Sequence, residues 1–227
     1  MSVAREYYTL IGSLPYLPDP KRAARSPINR QRLAQRFGSL GEEETRELEG
    51  AANLLLWERS VAFDNDAQVV RYYRELLGQI EHVELRRFAE YWMELRTVFA
   101  ALRRKQLGMG APTRGEEWGI DPRAMWIERH WDRPDFGLGS VHPWMAEARE
   151  HLEAGHAKDL QALQTGLVWR YLDRASQGQP FGFAAVFAYV FKWHLLNRWL
   201  SHDPVAATER FRDLVREVCH EFEQDRD

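Results

Sequence analysis

The sequence predicts a mainly all-α protein, a single-domain multi-helix bundle with at most a short N-terminal strand or extended segment. Three observations predict it. The chain has 227 residues, long for one domain and short for two, so one large core is expected across 1–227. Its composition, 44% hydrophobic and 29% charged, is that of a folded globular chain. Apolar residues recur at helical spacing, most plainly at Phe88, Trp92, Leu95, Phe99 and Leu102, which lay one seam down a helix.

Residues 1–38 read as an extended, basic N-terminal segment. Tyr7 to Leu14 is rich in aromatic and branched side chains, as a short strand would be, and Pro15, Pro18, Asp19 and Pro20 then break it. Residues 39–107 are the first helical part. Glu42, Glu43, Glu44, Glu47 and Glu49 put negative charge at the start of a helix that runs toward Trp57, with Ser39 as its cap. Asp66 caps a second helix with apolar Val69, Val70, Tyr73, Leu76, Leu77 and Ile80, and the Phe88 to Leu102 seam follows until Gly108 and Gly110.

Residues 108–143 form an irregular connection, in which Asp121-Pro122 and His142-Pro143 look like cap-plus-first-position pairs for short helices. Residues 144–227 are the second helical part. One helix runs from about Trp144 through Leu160, Leu163, Leu167 and Tyr171, with Gly155 the place for a break. A second runs from about Phe183 to Leu200. The last starts at Asp203-Pro204 and carries Phe211, Leu214, Val215, Val218 and Phe222.

Composition narrows the function classes. A formal charge of −3 gives no global field toward nucleic acid or membrane. Nine Trp beside eight Tyr and eleven Phe imply a thick core or an adhesive surface. Cys219 is the only cysteine, so no intrachain disulfide or paired-cysteine metal motif is available, which fits a reducing compartment. The first residues lack the apolar stretch of a signal peptide. The longest apolar run, Phe181 to Phe191, is about half of the ~20 residues a span needs and reads as a buried helix.

Catalytic motifs are scarce. No glycine-rich turn leads into Gly-Lys-Ser/Thr, and Asp135-Phe-Gly137 spells a kinase triplet without the rest of the kinase set. No pair of histidines stands four residues apart; His130 with Asp132, and His151 with His156, are near in sequence without specifying a metal geometry. The reading is of a non-catalytic chain needing no cofactor and no metal. The best hint of a partner is Lys21, Arg22, Arg25, Arg30, Arg32 and Arg36, six cations in a stretch with no acid. That stretch holds no aromatic before Phe37, which argues against stacking on single-stranded nucleic acid.

Several ordered pieces resemble a bacterial family of unassigned function encoded among the proteins of V/A-type ATPases. That family is related to the C-type component of the ATPase stalk, whose eukaryotic counterpart is the d-type component. The matching pieces are Tyr7 to Pro15, Phe63-Asp-Asn65, Tyr91-Trp92 leading to Ala101-Leu-Arg-Arg-Lys105, Asp135 to Leu138, Trp169 to Asp173, and Lys192 to Trp199. The resemblance implies a non-catalytic helical subunit of the central stalk, coupling the shaft to the membrane rotor ring of a rotary, ion-transporting motor. It implies shaft subunits and ring as partners, and a place at the cytoplasmic face of the inner membrane reached through protein contacts. The alternatives are a cytosolic adaptor that binds a peptide or helix, and a helical hydrolase using His130, Asp132 and Asp135.

Overall fold

Polar and apolar residues alternate at helical period along most of the chain, and the computed structural model answers with helices. It describes residues 7–55, 63, 65–113 and 115–202. Among these are nine α-helices, one 3-10 turn and no strand: α1 (Tyr8–Ser13), the turn Pro20–Arg22, α2 (Arg30–Phe37), α3 (Glu42–Leu55) and α4 (Asp66–Gln79), then α5 (Val83–Gln106), α6 (Arg123–Arg129), α7 (Met145–Glu153), α8 (Ala157–Gly178) and α9 (Phe183–His202). The helix expected over 203–222, with Cys219, lies outside the described residues, as does Trp57.

The hub is α5, which packs against α3, α4, α6, α7, α8 and α9. Its seam residues Phe88, Leu95, Phe99 and Leu102 are buried as expected, and so is a second row, Leu85, Ala89, Met93, Val98 and Ala101. Two buried rows are what a helix surrounded on several sides requires. Trp92 is only partly buried and packs at the edge of the core. Where α5, α8 and α9 meet, Phe88 lies 5.8 Å from Phe187, 5.1 Å from Phe191 and 5.5 Å from Tyr171 between ring centroids. Such aromatic contacts add specificity to a large buried area.

Helix ends depart from the sequence reading, each for a local reason. The N-terminal segment is not a strand: Tyr8–Ser13 is a short helix that buries Leu10 and stops where Leu14 turns extended ahead of Pro15. Nor is the basic stretch extended throughout, because the Asn29 side chain accepts from Arg32 N and starts α2, whose Leu33 and Phe37 turn inward. Gly41 caps α3, not Ser39, and the Glu44 carboxylate reaches back to Gly41 N at 2.6 Å. Asn65 caps α4 in place of Asp66, which instead pairs with Arg96 at 2.9 Å.

Asp121 and His142 do not cap. Helix α6 begins after Pro122 with no side-chain cap, and α7 begins after Trp144, leaving His142 to face Glu94. The break at Gly155 is present: Gly155 has φ +68°, a left-handed turn that separates α7 from α8.

Glu44 and Glu47 of the acidic run are buried. Glu44 accepts from the Tyr7 hydroxyl. Glu47 accepts from Glu81 N at 2.9 Å, His82 N at 3.3 Å and the His82 ring at 2.9 Å, so a carboxylate of α3 caps the start of α5.

Candidate functional site

The six cations of the basic stretch lie on a strap that crosses the far end of α8 and α9. A second apolar cluster fixes it: Leu17, Ile28 and Leu33 of the strap pack with Trp169 of α8 and Trp193, Leu196 and Leu200 of α9. Two hydrogen bonds register the strap's backbone and a third holds one of its side chains. Trp193 Nε1 donates to Ile28 O at 2.8 Å, the Tyr189 hydroxyl donates to Pro15 O at 2.9 Å, and Asn197 Nδ2 donates to Ser26 Oγ at 3.3 Å. Burial pushes the Tyr189 hydroxyl up to about 12, so it stays a donor at any physiological pH, although the Arg36 charge works the other way.

Beneath the strap, Lys192 Nζ sits 2.5 Å from Asp173 and 4.5 Å from the centre of the Trp169 ring. Those residues come from the sequence pieces Trp169 to Asp173 and Lys192 to Trp199, which the fold brings together.

Of the six, Lys21, Arg22, Arg25, Arg30, Arg32 and Arg36, all are exposed. Among the described residues, none of the six side chains pairs with a carboxylate, although the acidic run is close in sequence. Two acids of that run, Glu44 and Glu47, point into the core and are spent there. Tyr16, on the same strap, is 84% exposed. Arginine and tyrosine displayed on a fixed backbone match the composition of binding surfaces.

The residues weighed for hydrolysis do not assemble. His130 lies against its own helix, with Nδ1 2.8 Å from Trp126 O and its ring stacked on Trp126 at 4.2 Å. Asp135 accepts from Gly137 N at 2.9 Å and Gly139 N at 3.1 Å, and the first of these bonds holds its carboxyl below the usual range. Asp132 is exposed, and the three do not form a ligand group among the described residues. The kinase-like triplet is thus a turn: Phe136 (φ 51°) and Gly137 (φ 69°) are both left-handed, and Asp135 satisfies the backbone they expose.

Sequence reasoning missed the charged groups that organise the 108–143 connection. Lys105, the last residue of the Ala101 to Lys105 piece, donates to Trp131 O and to Arg133 O (2.6 Å) and stands over the Phe136 ring at 5.0 Å. Glu94 of α5 accepts from Arg123 Nε at 2.8 Å and lies 3.3 Å from His142 Nε2. The His142 bond holds the Glu94 carboxyl below its ordinary range; partial burial opposes this and Arg123 adds to it. Glu94 lines a cleft of about 610 Å³ with Tyr73, Glu90, Asp121 and Trp126. Tyr73 is pushed up to about 12 by burial, with Glu90 adding to it. At neutral pH Glu94 is therefore a carboxylate already held by Arg123 and His142, and Tyr73 is a protonated phenol. Neither is poised as a base. Only long-range proximity identifies these residues, and spacing along the chain carries no signal of it.

No curated protein and no solved structure matches the chain. A family model described as a protein of unknown function, DUF2764, matches residues 57–222. The chain belongs to the DUF2764 family.

Proposed function

We propose that this chain is a non-catalytic stalk-type subunit of a bacterial V/A-type ATPase, which docks through its basic strap on an acidic face of the shaft or of the rotor ring. The observation that carries the reading is the set of six exposed cations, without carboxylate partners among the described residues, on a backbone fastened to α8 and α9. The resemblance in ordered sequence pieces supplies the assembly, and the strap supplies the contact. Two of those pieces converge directly beneath it. A coupling component transmits force through packing, and the aromatic junction of α5, α8 and α9 gives a stiff body for that role.

Attachment in this scheme rests on apolar contact through Tyr16 and on charge complementarity. Exposed charges orient a partner and speed encounter more than they hold it. No helix among the described residues is long and apolar enough to cross a membrane, so in this reading the place at the membrane face is reached through partners.

Affinity purification from native membranes tests the reading. Co-purification of the ATPase catalytic and shaft subunits is the expected result. Recovery of the chain from those membranes without them overturns the stalk assignment, and capture of one helical partner outside the ATPase would instead favour the adaptor.

A further inference from the structure

We propose that the α7–α8 turn is a binding site for a divalent transition cation of borderline softness, Zn²⁺ being the natural occupant. The ligands are His151, His156 and Asp159, whose donor atoms all lie within 4.8 Å of one another. Imidazole nitrogen with carboxylate oxygen is the donor set of such ions, and it disfavours Mg²⁺ and Ca²⁺, which take oxygen alone.

The backbone positions this set before any ion arrives. Gly155 N donates to Leu152 O at 3.2 Å and His156 N donates to His151 O at 2.8 Å, the paired bonds of a helix ending on a left-handed glycine. The two histidines are therefore the ends of a single hydrogen bond, with ring centroids 6.4 Å apart. His156 is also the residue before α8, and it makes no side-chain bond to the helix amides. Asp159 follows in the first turn of α8, on the side of His156.

The separations fit an ion better than they fit direct bonding. His156 Nδ1 stands 3.7 Å from Asp159 Oδ2, and His151 Nε2 stands 3.6 Å from Glu147 Oε1. Both exceed a hydrogen bond. The His156–Asp159 separation is close to the ~3.4 Å edge between neighbouring ligands of a tetrahedral site with bonds of about 2.1 Å. Glu147 contacts His151 alone and lies outside the three-residue group, so the fourth position of a tetrahedral ion would fall to water. His156 and Asp159 are exposed and His151 is half-buried, so all three side chains have room to turn toward an ion. Once bound, it would clamp the end of α7 to the start of α8.

The test is titration of the full-length chain with Zn²⁺ by calorimetry, followed by Co²⁺ as a spectroscopic probe. The expected result is one saturable equivalent, a tetrahedral-type cobalt spectrum and no displacement by excess Mg²⁺. His156→Gln and Asp159→Asn should each weaken binding by at least about tenfold, while His130→Gln leaves it unchanged. Because the ion competes with protons for two imidazoles, affinity should fall as the solution is acidified. The variants should keep the wild-type melting temperature without metal, so lost binding cannot be mistaken for lost folding. Absence of saturable binding, or equal affinity in the His156→Gln and wild-type chains, overturns the site.

Discussion

Two segments of this chain are long, charged and poor in regular core, yet they use their charge in opposite ways. The connection between α5 and α7 spends its main charges within the chain: Glu94 on Arg123 and His142, Lys105 on two carbonyls, and Asp135 on two glycine amides. The N-terminal strap takes its structure from apolar side chains and tryptophan, and leaves its cations outward. A charge buried without a partner is costly, so charges placed inside must be satisfied by the fold. A charge kept at the surface costs little and stays available to another molecule. The connection is thus architecture, and the strap is the surface with something left to offer.

The contrast can be broken first at Trp193. Trp193→Ala removes the centre of the second cluster and the donor to Ile28 O, and should cost about 3–5 kcal/mol. Urea unfolding measures the loss. In the variant, trypsin should cut at Arg25 or Arg30 well before it cuts within α5; equal protection in wild type and variant would mean that the strap is held by something else.

The next effect lies in the connection. Glu94→Ala leaves the part-buried Arg123 and the buried His142 without their shared carboxylate, at a cost of about 2–3 kcal/mol. The Glu94 carboxyl is held below its ordinary value in the folded chain, so its contribution is present above the ordinary carboxylate range and is lost as pH falls through the folded-state value. The stability gap between wild type and Glu94→Gln should therefore be wide at about pH 7 and narrow toward about pH 3. A gap that stays constant across that range would remove the charge from the explanation.

Lys105→Met keeps the aliphatic stem over Phe136 but deprives two carbonyls of their donor, and should cost about 1–2 kcal/mol. Chemical-shift changes confined to 130–139 would show that the ammonium organises that turn; an unchanged turn would argue that packing alone shapes it.

The smallest effect on stability should come from the largest change of charge. Reversing Arg22, Arg25, Arg30 and Arg32 to Glu should move unfolding by no more than about 0.5 kcal/mol. The same variant should assemble with the proposed ATPase partner more slowly and with weaker dependence on salt. Assembly at the wild-type rate in low salt would reduce the strap to a solvated surface.

How much is legible in the sequence follows the range of the interaction. Helical periodicity is a local property, and it places α5, the break at Gly155 and α9 close to where they lie. The basic stretch is legible because six like charges with no acid among them are visible without a fold. The helix caps are not, since a cap is chosen among neighbouring polar residues by backbone geometry: Gly41 with Glu44 prevails over Ser39, and Asn65 over Asp66. Tyr7 to Leu14 has the composition of a strand, but it finds no strand to pair with among the described residues and coils against Phe181 and Phe183 instead. The burial of Glu44 and Glu47 depends on Tyr7 and on the start of α5, and the anchor of the strap on Trp193. None of these partners is near in sequence.

That last separation bears on how the protein is made. Trp193 stands 165 residues after Ile28, whose carbonyl it holds, and Leu196 and Leu200 complete the same cluster still later. A chain leaving the ribosome presents the strap early, at a stage when α9 does not yet exist to receive it. The basic surface is thus synthesised well before the helix that sets it in place. A truncated copy lacking α9 would carry all six cations on a loose strand without their fixed arrangement, so a partner that reads that arrangement would engage only chains finished through α9.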